Sequence, residues 1–114
     1  MKNDQRRDPR RPIDILLNKY IDGQPHVCQG VNISRGGMLV HKILEPAVPH
    51  LSVTVELELP GSGEVLCLEG VVLGAGRYSR SMAIRFLRTP PRIAQLIERF
   101  ISGQTLAEPV QATV

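Results

Sequence analysis

Apolar and polar residues alternate with period two along most of this chain, and the period changes only near its end. Ile13, Ile15 and Leu17, interleaved with polar positions such as Asp14 and Asn18, predict a first strand. Asp22-Gly23 is a turn dipeptide, and Val27, Val31 and Ile33 predict a second strand beyond it. Gly36-Gly37 breaks that run, and Met38-Leu39-Val40 opens a third. The cleanest alternation sets Val53, Val55, Leu57 and Leu59 against Thr54, Glu56 and Glu58, the pattern of a strand with one face in a core and one in water. Pro60-Gly61-Ser62-Gly63 turns the chain into a fifth strand, Val65 to Leu73, with Gly70 as a candidate bulge. After Gly74-Ala75-Gly76, Met82, Ile84 and Phe86 face one way and Ala83, Arg85 and Leu87 the other, which makes a sixth.

Six short strands at hairpin spacing predict a small barrel, because closing the sheet removes its exposed edges. The period then lengthens. Ile93, Leu96, Ile97, Phe100 and Ile101 recur as the stripe of an amphipathic helix, which needs one mouth or side of the barrel to cover. Thr89 is its expected N-cap, Pro90 its first residue and Gly103 its end. The predicted fold is mainly β: a six-stranded antiparallel barrel over residues 13–103, with one C-terminal helix. With 114 residues the chain reads as one domain. Residues 1–12 have almost no apolar side chains and read as a flexible basic arm, and residues 104–114 as a disordered tail.

Charge sharpens the picture at the arm. Five of the fourteen basic residues and two of the eleven acidic ones fall within residues 1–12, which leaves nine of each elsewhere and assigns the whole formal charge of +3 to the arm. An anionic partner is therefore expected there and not on a diffuse basic surface. Cys28 and Cys67 lie on separate apolar strands without CxxC spacing, and the N-terminus is charged where a secretory leader is apolar, so both read as reduced core thiols of a cytoplasmic protein. No apolar run reaches the ~18 residues of a membrane span. His26, His41 and His50 have no metal-ligand spacing, and no nucleophile–base arrangement is present, so binding without catalysis, metal or cofactor is the expected role.

Two stretches carry candidate binding chemistry. Arg6-Arg7-Asp8-Pro9-Arg10-Arg11 supplies guanidinium forks, which match guanine O6 and N7 or a phosphate in a way that lysine cannot. Asn32-Ile33-Ser34-Arg35-Gly36-Gly37 sits at a strand end, where Asn32 and Ser34 share a face and can accept from a base's N1 and N2 donors. Gly37 permits a positive φ or close approach of a base to the backbone. As isolated features, these are also ordinary turn residues and an ordinary solvated tail. Arg77, Arg80 and Arg85 read either as the wet face of a strand or as an extension of the anion site.

Together, in this order and ahead of a barrel-like pattern, the two stretches resemble the PilZ family of bacterial cyclic di-GMP receptors, marked by RxxxR followed by [D/N]xSxxG. Arg7 and Arg11 fit the first motif, and the proline and apolar residues after Arg11 favour this frame over Arg6 and Arg10, which fit one residue earlier; Asn32, Ser34 and Gly37 fit the second. Gly37-Met38-Leu39-Val40 and Met82-Ala83-Ile84-Arg85-Phe86 extend the resemblance over about residues 6–101. The resemblance implies that Arg7 and Arg11 hold guanine edges and phosphates while Asn32, Ser34 and Gly37 line the pocket of one base. Arg6, directly before the motif, implies two stacked cyclic di-GMP molecules per chain.

The expected function is a non-enzymatic cyclic di-GMP receptor whose arm orders over the barrel on binding and signals to a downstream protein. Motility, exopolysaccharide synthesis and virulence are the processes that the family implies. A ligand-independent PilZ-type interaction module and a small nucleic-acid-binding barrel are the alternatives. The second is disfavoured by four aromatic side chains, which leave little stacking surface.

Overall fold

The period-two segments fold into strands because each buries one face and wets the other. The computed structural model describes residues 9–43, 52–73 and 80–104. In chain order these form β1 (Arg10–Ile21), β2 (Gln24–Ser34), β3 (Gly37–Lys42), β4 (Ser52–Glu58), β5 (Val65–Leu73), β6 (Ser81–Leu87) and α1 (Pro91–Ile101). The strands close a barrel in the order β1-β2-β3-β6-β5-β4, every neighbouring pair antiparallel. β1 begins at Arg10, so Arg10 to Pro12, expected in the arm, are strand residues paired with Ser34, Ile33 and Asn32.

The hairpin between β1 and β2 turns on Asp22 (φ 51°) and Gly23 (φ 79°). Two successive positive φ values match the right-handed twist of the flanking strands, which is why the dipeptide at this point is Asp-Gly. β4 and β5 pair without interruption from Ser52↔Val71 to Glu58↔Val65. Their inward residues, including Val55, Leu57, Leu66 and Leu68, form one wall of the core with Ile33, Val40 and Ile84.

The other wall is irregular. β2 pairs with β3 through Gly30↔Val40 and then Asn32↔Leu39, so Val31 is one residue in excess, and β1 meets the same point with its own shift between Pro12 and Ile15. The extra residue reverses the parity of β2. Cys28 and Gly30 are inward before it and Ile33 is inward after it, whereas Val27, expected to be buried with Val31 and Ile33, is 47% exposed.

Three further expectations are corrected. The bulge lies at Val31 and not at Gly70, whose pairing with Val53 is regular; Gly70 instead leaves room for the Ile84 side chain, Cγ2 of which would lie 2.5 Å from an added Cβ. Cys28 is a core thiol, but Cys67 is exposed, because β5 turns Leu66 and Leu68 inward around it. The helix starts one residue later than expected, with Pro91 in its first turn and Pro90 as N-cap, without a side-chain capping bond. A further inward residue is polar: Lys19 is fully buried, its Nζ 3.1 Å from Met82 Sδ.

The helical stripe predicted from Ile93 to Ile101 is the face that α1 buries, through Leu96, Ile97 and Phe100. Gly103, at φ 79°, follows its C-cap. The helix lies across the barrel end that holds the start of β1, the β2–β3 connection and the β4–β5 turn. Arg92 donates to Glu64 with both terminal guanidinium nitrogens, Nη1 at 3.0 Å, and this bonding holds the Glu64 carboxyl below its ordinary range.

Candidate functional site

The parity switch at Val31 decides where the polar residues of the β2–β3 segment go. Without it, Asn32 and Ser34 would continue the inward series of Cys28 and Gly30; with it, they share the face of β2 that also meets Arg10 and Pro12 of β1. Ser34 stays largely covered because its Oγ is held at the turn. It accepts from the Gly36 N–H and donates to the Gly37 carbonyl, both at 3.3 Å.

Across the barrel wall the residues fall into two rows. One runs Arg10–Ser34, then across the short connection to Gly37–Arg85–Val71. The next runs Pro12–Asn32–Leu39–Ala83–Leu73. The first has a guanidinium on either side of a serine and a glycine, and the second is apolar except for Asn32. Arg10, Ser34, Gly37, Leu73, Ala83 and Arg85 line an open pocket of about 430 Å³. A flat ring with polar edges and an attached anion is the kind of molecule that such a surface suits: apolar contact for its face, hydrogen bonds for its edge, positive charge for the anion.

Gly37 makes this surface possible through close approach and not through an unusual φ. A Cβ there would collide with the backbone carbonyl of Ile84 and lie 3.3 Å from the Arg85 Cα, so only glycine lets β3 lie against β6 at this point.

A model of the PilZ domain matches residues 4–103. The chain belongs to the PilZ domain family. Its structure is similar to the PilZ domain of YcgR from Escherichia coli solved with c-di-GMP, at 17% identity and a TM-score of 0.69, covering 88% of this chain and 91% of that one. It is also similar to the Bacillus subtilis inhibitor of motility MotI/DgrA, at 18% identity and a TM-score of 0.66, and to YcgR of E. coli in complex with c-di-GMP, at 18% and 0.60. The match covers 89% and 87% of this chain but 51% and 45% of those two, so the chain spans about half their length. None of the curated proteins matches it.

The PilZ motif residues are brought together in part. Arg10, Asn32, Ser34 and Gly37 share the outer face, with Arg10 Nη1 3.4 Å from Asn32 Oδ1. Arg11 does not join them. Strand alternation turns it to the opposite face of β1, where its Nη1 donates to the Phe100 carbonyl at 2.6 Å and its Cζ lies 4.2 Å from the centre of the Phe100 ring. Arg6 and Arg7 lie outside the described residues. Arg35, inside the second motif, also faces the helix, in an ion pair with Glu98 at 2.9 Å. Arg11 and Arg35 thus attach the two motif segments to α1, a role that spacing alone did not reveal. Arg85 was legible as an outward strand residue; its position opposite Gly37 required the order of the strands. Among the described residues, no group of three or more His, Cys, Asp and Glu side chains is gathered as a metal site needs, and no helix is long and apolar enough to cross a membrane.

Proposed function

We propose that the chain is a receptor for cyclic di-GMP, bound without turnover on the outer face of β1, β2, β3 and β6. The observation that carries the reading is the row Arg10–Ser34–Gly37, in which residues of both PilZ motifs meet along one open pocket beside an apolar shelf. Membership of the family supports it, as do the YcgR structures that hold c-di-GMP.

In this reading the RxxxR frame is Arg6 to Arg10. Arg10 is the member of the Arg10–Arg11 pair that faces Asn32, while Arg11 is engaged beneath the helix. In that frame the residue before the motif is Gln5, not an arginine, so the ground for two stacked ligands is lost and one ligand per chain is proposed. Asn32 and Ser34 accept from guanine donors, and the Arg10 guanidinium holds a guanine edge or a phosphate. Arg6 and Arg7 bring further positive charge as the arm closes over the dianion, whose charge offsets the entropy of ordering the arm. The movement reaches α1 through the neighbouring Arg11–Phe100 and Arg35–Glu98 contacts, and from there a partner protein.

Calorimetric titration with cyclic di-GMP, with GTP and cyclic AMP as controls, tests the reading. Saturable, selective heat at one ligand per chain supports it. No heat from a folded protein overturns it and leaves a PilZ-type module that acts by protein contact alone.

A further inference from the structure

Arg85 lies outside both PilZ motifs, yet the barrel sets it directly opposite Gly37, at the far end of the row that begins with Arg10. Three strand spacings, roughly 14 Å along the wall, separate the two arginines. Among the described residues, only Ser34 and Gly37 stand between them in the row, and neither has a bulky side chain.

Two features distinguish Arg85 from the arginines at the helix end of the barrel. Arg11, Arg35 and Arg92 are committed to Phe100, Glu98 and Glu64, whereas the Arg85 guanidinium makes no hydrogen bond or ion pair among the described residues. On the side towards Asn32 its neighbours on the outer face are apolar, Val71 directly across β5 and Ala83 and Leu73 in the adjoining row, while Glu69 stands in the row on the other side, opposite Leu87. A guanidinium with no partner among the described residues, beside an apolar shelf, is suited to a planar heteroaromatic ring that lies on the shelf and turns an acceptor edge towards the charge.

We infer that Arg85 is a specificity-determining residue of the site, which recognises a guanine of the ligand by donating two hydrogen bonds to its O6 and N7 while the base rests against Ala83 and Leu73. The inference rests on the cyclic di-GMP reading above. It assigns selectivity to a strand residue that neither motif contains. An adenine in the same position presents its N6 amino group where guanine presents O6, so a donor would face a donor. Lysine keeps the charge at this point but lacks the planar fork.

The test titrates the wild-type chain, Arg85→Ala, Arg85→Lys and, as a control for lost charge elsewhere, Arg92→Ala with cyclic di-GMP and with cyclic di-AMP, with circular dichroism to verify folding. Both Arg85 variants are expected to narrow the preference for cyclic di-GMP over cyclic di-AMP by about tenfold or more, the effect of one bidentate base contact, while Arg92→Ala keeps the wild-type preference. Wild-type binding with an unchanged preference in Arg85→Ala would overturn the assignment and leave the receptor reading intact. Full recovery of affinity and preference in Arg85→Lys would overturn it as well, because a point charge on a phosphate would then suffice. No binding of cyclic di-GMP by the wild-type chain would overturn the receptor reading and the assignment together.

Discussion

The two walls of this barrel follow the same alternation rule and arrive at different surfaces. The β4–β5 wall pairs through seven consecutive positions without a shift, and its outer face carries Glu56, Glu58 and Glu69 on a regular ladder. The β1–β2–β3–β6 wall has a register shift at Val31 and a glycine pressed against the β6 backbone, and its outer face carries two arginines over small and apolar residues. One is a wall for a core. The other is also a platform, and the irregularities are what expose its polar groups on the outside.

Substitutions on each wall should separate these roles. The largest expected effect on the regular wall is Leu57→Ala, which removes a fully covered core side chain and costs about 3 kcal/mol of unfolding free energy by chemical denaturation, with ligand affinity unchanged in the folded protein. On the irregular wall, Gly37→Ala is expected to cost about 2–3 kcal/mol, because the new methyl must displace β6 backbone, and to abolish binding of cyclic di-GMP as well. Gly63→Ala, on the regular side at φ 68° with open space around it, should cost only about 1 kcal/mol; equal losses at both glycines would remove the distinction between backbone collision and backbone strain.

Smaller effects test the neighbouring arginines. Arg10→Ala is expected to weaken cyclic di-GMP binding by at least about tenfold in calorimetry without lowering the melting temperature, since Arg10 is exposed and donates only a long bond to Asn32. Arg11→Ala should do the reverse first, lowering stability by about 2 kcal/mol through loss of its bond to the Phe100 carbonyl and its stacking on that ring. If Arg11→Ala abolished binding and left the melting temperature unchanged, the frame would be Arg7 to Arg11.

The smallest effect concerns the helix start. The hydrogen bond from Arg92, aided by its charge, depresses the Glu64 carboxyl below its ordinary value of 4.5, so its contribution to stability is present above that value and disappears as pH falls through the lower folded one. Wild type should therefore melt slightly above Glu64→Gln at neutral pH, and the two curves should converge under acid. A difference that persisted there would assign it to something other than this ion pair.

Alternation of side chains determined the strands and the helix, because period two and period 3.6 are properties of local backbone geometry that the hydrophobic pattern must match. Val53 to Leu59, Met82 to Phe86 and the stripe from Ile93 to Ile101 are legible for that reason, and so is the Asp22-Gly23 turn, whose dihedral angles only a few residue types adopt. The helix start was misread by one residue, since consecutive prolines at 90 and 91 both fit a first turn.

What the sequence alone could not determine is which side of the wall a given residue faces once a strand carries an extra residue. Val31 looks like any β-branched core position, yet its insertion against β3 turns Cys28 and Gly30 inward on one side of it and Ile33 on the other, and leaves Val27 exposed. Likewise the residues after Arg11 favour it over Arg10 as the second arginine of the motif, yet pairing with β2 fixes Arg10 towards Asn32 and Arg11 towards Phe100. Arg85 and Gly37 are 48 positions apart and become neighbours only because β6, the last strand, closes against β3. Chemistry is written residue by residue and patterning within a strand, but face and neighbourhood are set by register between strands, which depends on contacts that only the closed barrel makes.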